Sequence, residues 1–120
     1  MLIGTPEKPM TSKSDYLNFR KECMAFMREV GLVTDNNLNY YSPLLGPGEW
    51  FVIIWGNDIR VVNDVYISYN DSTVCTTNAT TVKTLKSFKK KLTSVIEKSK
   101  KLTVYLRKRT IDKDFEKDDE

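Results

Sequence analysis

The chain of 120 residues contains no histidine. Without an imidazole there is no histidine acid or base, no Ser-His or Cys-His nucleophile pair, and no metal site built on ring nitrogens. Cysteine is almost as scarce, with Cys23 and Cys75 alone. Two thiolates without imidazole do not complete a tetrahedral site, so the expectation is two reduced, buried thiols and no metal. Glycine (5) and proline (4) are too few for a low-complexity chain. The longest apolar run, Trp50 to Trp55, is six residues, far short of the roughly 18 that a membrane-spanning helix needs. The first twenty residues hold Lys8, Lys13 and Arg20 and no apolar core of a signal peptide. The expected location is therefore the cytoplasm.

Enzyme signatures are missing as well. There is no Gly-x-Ser-x-Gly, no phosphate-loop motif and no dinucleotide fingerprint. Gly46-Pro47-Gly48 leads into Glu49-Trp50 rather than into a helix start that could cradle a phosphate. A non-catalytic protein without a cofactor is the expectation. The alternating acids Asp112, Asp114, Glu116, Asp118 and Glu120 imitate a calcium loop. Lys117 stands where such a loop needs glycine, and no bidentate glutamate position follows.

What is present is one domain's worth of amphipathic pattern, 40% hydrophobic and 29% charged. Residues 1–11 read as an arm with Gly4, Pro6 and Pro9. Ser12 is placed to cap a helix, and Asp15 suits its positive end. Tyr16, Phe19, Cys23, Phe26 and Val30 recur at three and four, widened by Leu17, Met24 and Met27, and Gly31 ends the stripe. Residues 34–49 form a long connection in which Asn39 to Ser42 suits a short edge strand. Trp50 to Trp55 is apolar at both alternating sets, the pattern of a central strand covered on both faces. Asn-Asp pairs at 57–58, 63–64 and 70–71 punctuate the strands that follow. Whether residues 59–69 make one bent strand or two short ones stays open.

A second helix is expected with Asn78 or Thr80 as its cap and Val82, Leu85, Phe88, Leu92, Val95 and Ile96 as its buried stripe. Beyond Lys101, a last strand over 102–107 and a continuation of the helix to Arg109 are both compatible with the residues. The fold class is α+β: an N-terminal amphipathic helix, an antiparallel sheet of three to four strands and a basic C-terminal helix, with 12–109 as the domain and 110–120 as an acidic tail.

Charge is distributed unevenly. Residues 83–109 hold eleven bases and one acid, Glu97, while residues 1–82 and 110–120 are both net acidic. Like charges a turn apart repel by a few tenths of a kcal/mol each. A polyanion would offset that repulsion. So would the acidic tail folded back, or an acidic protein or membrane surface. The expectation is a small nucleic-acid-binding accessory protein of low sequence specificity. Lys83, Lys86, Lys90 and Lys91 would contact phosphates, and Lys101, Arg107, Lys108 and Arg109 would extend the track. The order helix, three strands, helix is similar to that of double-stranded-RNA-binding domains, which place lysines where Lys83 and Lys86 stand. Their loop motifs and alanine–lysine pattern are missing here.

The alternative from another class is a protein-interaction module, a small inhibitor or adaptor docking on a host protein through Tyr40, Tyr41 and Trp50. The short, Asn- and Lys-rich chain has the composition of a bacterial or bacteriophage accessory protein. A homodimer through the broad apolar face of residues 16–30 is a further option.

Overall fold

The computed structural model describes residues 13–35, 38–68 and 72–118. The expected arm and the Ser12 cap lie outside them, as do Asn70 and Asp71. Helix α1 spans Lys13–Glu29. Phe19, Cys23 and Met27 of its stripe are buried, with Met24 and Phe26 packed beside them. Gly31 ends it at φ +86°, and the Leu32 amide reaches back to the Met27 carbonyl at 2.9 Å. That is the left-handed stop the sequence predicts.

Among the described residues seven strands follow: β1 (Val33–Thr34), β2 (Asn39–Tyr41), β3 (Val52–Trp55), β4 (Asp58–Val62), β5 (Val65–Ile67), β6 (Val74–Thr76) and β7 (Ala79–Val82). An antiparallel five-stranded sheet has the order β1-β2-β3-β4-β7, and β5 and β6 make a separate pair. Segment 59–67 is thus two strands with a corner at Asn63-Asp64. The returning chain turns beside it, where the Asn63 amide donates to the Asn78 carbonyl and the Thr77 amide to the Asp64 carbonyl. β4–β5 and β6–β7 are therefore the two legs of one bent ribbon. This exceeds the expected strand number, and with it the resemblance to a three-stranded RNA-binding sheet ends.

β3 is central, as expected, but covered on one face only. Val52 and Ile54 are buried, whereas Ile53 is half-buried and Trp55 is 67% exposed. The reason is that both helices lie on one side, α2 against β4 to β7 and α1 against α2. Trp55 pairs with Asp58 across a tight turn, opened by Gly56 at φ +59°.

Helix α2 runs Leu85–Asp118 without a break, about 51 Å at 1.5 Å per residue. No strand forms at 102–107. Leu102 and Leu106 continue the line of Phe88, Leu92, Val95 and Ile96 at three and four, and helical spacing satisfies them better than alternation. The expected caps are also displaced. Residues 79–82 belong to β7, and Thr84 caps α2 by accepting from the Ser87 amide at 3.1 Å. The helices meet at Phe26 and Phe88, edge to face at 6.1 Å.

Candidate functional site

Seven of the eight predicted cations lie on α2, where at 100° per residue they fall into three groups. Lys86, Lys90, Lys101 and Lys108 lie within a sector of about 60° opposite the buried stripe of α2, and all four are exposed. They extend over about 33 Å of axis. Lys83 is exposed but precedes the helix, at the end of β7. Lys91 and Arg109 occupy one flank, and Arg107 the other.

The flanks are engaged. Lys91 Nζ donates to Asn63 Oδ1, and its partial burial lowers its pKa from the usual lysine value. Lys98 Nζ lies 2.7 Å from Asp64 Oδ1. That hydrogen bond, with a second from the Val65 amide, holds the Asp64 carboxyl below the usual carboxylate range. Lys89 Nζ stands 5.4 Å over the Phe26 ring at the seam of the two helices. Arg107 borders a cleft of about 540 Å³ with Leu45, Val74 and Leu106, and a smaller one with Ile96 and Lys100. The structure therefore brings four of the eight cations into one strip and assigns Lys91 and Arg107 to other surroundings.

The first turn of α2 contains no acid, so its positive dipole end adds to Lys86 and Lys90. Because α2 continues through Asp118, the helical part of the acidic tail extends along the axis. It does not double back over the lysines. Among the described residues, no group of three or more metal-ligating side chains converges, and no helix is long and apolar enough to cross a membrane.

Of the aromatics expected in the alternative site, Tyr40 is buried in the core. Tyr41 and Trp50 line a cleft of about 550 Å³ between the β1–β2 edge and the 42–50 loop. The loop is held in place from several sides. The Gly46 amide donates to the Val74 carbonyl at 2.9 Å and the Phe51 amide to the Tyr40 carbonyl at 2.8 Å. A Cβ on Gly46 would stand 2.8 Å from Thr73 Cβ, so only glycine permits this approach. Glu49 Oε1 accepts from the Thr76 backbone amide and, at 3.0 Å, from the Thr76 hydroxyl. Sequence reading found the two aromatics of this cleft but missed its carboxylates, Asp35 and Glu49. Thr76 anchors Glu49 across 27 residues, a pairing that leaves no local signal.

No known protein family, curated protein or solved structure matches the chain.

Proposed function

We propose that the chain is a non-catalytic nucleic-acid-binding protein that lays the outward face of α2 along a phosphate backbone. The observation that carries this reading is the strip Lys86, Lys90, Lys101 and Lys108, exposed along one side of an unbroken helix. Glu97, the one acid in residues 83–109, lies exposed in the same sector between Lys90 and Lys101, and the four lysines outnumber it. Lys83 extends the strip at the helix start. Lys91 and Lys98 steady the helix against the sheet, and Arg107 and Arg109 sit at its flanks. Lysine is a point charge on a flexible stem, so it positions the protein without reading base edges. The binding is accordingly of low sequence specificity and strongly salt-dependent.

The test is a polarisation titration of labelled DNA and RNA duplexes at several salt concentrations. Four neutralised phosphates give a slope of log K on log salt of about −3.6 on duplex DNA. The triple change Lys86→Glu/Lys90→Glu/Lys101→Glu should weaken binding by more than about tenfold and flatten that slope by about one per lysine removed. Affinity weaker than millimolar at 50 mM salt for every nucleic acid tried would overturn the reading.

A further inference from the structure

The cleft between the β1–β2 edge and the 42–50 loop has the opposite character to α2. Val33, Tyr41 and Trp50 give it apolar and aromatic wall, while Asp35 and Glu49 place carboxylates in its lining beside Asn39. No lysine or arginine lines it among the described residues. Its volume of about 550 Å³ lies within the ordinary range of small-molecule sites.

Two details show that the acceptors are in excess. The Asn39 backbone amide donates to Asp35 Oδ1 at 3.0 Å and its side-chain Nδ2 donates to Asp35 Oδ2 at 3.1 Å. This fixes the amide orientation, because the reverse rotamer would set two oxygens against each other. Asn39 Oδ1 is left buried with no hydrogen-bond partner. A buried acceptor without a donor is a cost that folded chains rarely leave in place. Glu49, in turn, uses a single oxygen, Oε1, for both of its bonds to Thr76, which leaves Oε2 for another donor.

We propose that this cleft binds a small organic cation, an ammonium centre carried on an apolar body. Aromatic rings attract such a centre, and Tyr41 and Trp50 both line the cleft. The Glu49 carboxylate, with Oε2 outside its bonds to Thr76, supplies the compensating charge. The loop needs little reordering on binding, since Glu49, Gly46 and Phe51 are already tied to β6 and β2. This site is independent of the α2 strip, and each can fail without the other.

The experiment uses the full chain with Trp55→Phe, so that Trp50 is the sole indole. Its emission is followed on titration with benzylammonium, whose N–H groups can donate, with benzyl alcohol and benzenesulfonate as neutral and anionic counterparts. The expected result is saturable change with the ammonium, at least about tenfold tighter than with either counterpart. Glu49→Gln, which keeps the Oε1 acceptor for Thr76, should weaken the ammonium about fivefold or more at unchanged far-ultraviolet dichroism. No saturation, or an equal response to the sulfonate, overturns the proposal. If Glu49→Gln fails to fold, the comparison of the three probes on the native carboxylate still decides.

Discussion

At the residue scale, the two cysteines differ in what surrounds them. Cys23 of α1 is fully buried in the core. Burial, with the nearby Glu22 charge, pushes its thiol pKa up to about 12. The thiolate is the reactive form, so Cys23 should be inert while the chain is folded. Cys75 is half-buried on β6, and both thiols are free. Brief iodoacetamide treatment at pH 8 followed by mass spectrometry should find the label on Cys75 and none on Cys23, with Cys23 labelled once urea unfolds the chain. Equal labelling in the native state would contradict the burial. The sequence indicated that both thiols are free, but not their unequal burial. Cys23 falls on the apolar line of an amphipathic helix, whereas Cys75 alternates along a strand whose covering depends on α2, ten residues further along the chain.

At the element scale, α2 contains one residue that its pattern does not ask for. Ser99 is completely buried in the line between Ile96 and Leu102. Its hydroxyl is satisfied within the helix, donating to the Val95 carbonyl at 2.8 Å, a local bond that slightly disfavours the helix. Ser99→Ala removes donor and hydroxyl together, leaves the Val95 carbonyl its backbone partner, and raises helix propensity. Urea unfolding should show stability unchanged or raised by about 0.5 kcal/mol. A loss beyond about 1 kcal/mol would mean that the hydroxyl does more than satisfy itself. The two helices and the turn at Gly56 were legible in the sequence because their signals are local: three-four spacing, a glycine stop and a tight turn. The last segment was not. Leu102-Thr103-Val104-Tyr105-Leu106 alternates like a strand, but Leu102 and Leu106 are also a turn apart, and the helix already running through Ile96 decides between them. The uncovered face of β3 was likewise illegible, because the sequence of a strand does not say on which side its helices will lie.

At the scale of the whole molecule, one corner joins three parts. Asn63 and Asp64 turn the ribbon between β4 and β5, and the same two side chains receive Lys91 and Lys98 from α2. The Asp64 carboxyl is held below its usual range by Lys98 and the Val65 amide. A depressed carboxylate contributes stability that is present above the unfolded-state pKa of about 3.9 and is lost as pH falls through the lower folded-state value. Both partners are about half exposed, so the contribution is small. The fall in urea midpoint between pH 6 and pH 3 should be shallower in Asp64→Asn than in the parent. An identical fall in both would show that this pair contributes nothing. The candidate surfaces were legible to unequal degrees at this scale. The lysine strip follows from helical spacing alone. The acid-lined cleft needed a fold that sets Asp35 beside Asn39 and pins Glu49 to Thr76.

The unbroken α2 has a consequence for how the molecule meets its surroundings. Ten bases between Lys86 and Arg109 give way along one axis to a net-acidic end, and a helix with separated charge feels a torque in an external field. Near a polyanion the chain would rotate while still at a distance, its acidic tip swinging outward and its basic midsection inward. Encounter would then begin in a productive orientation, and the same tip would keep a second molecule from stacking end-on.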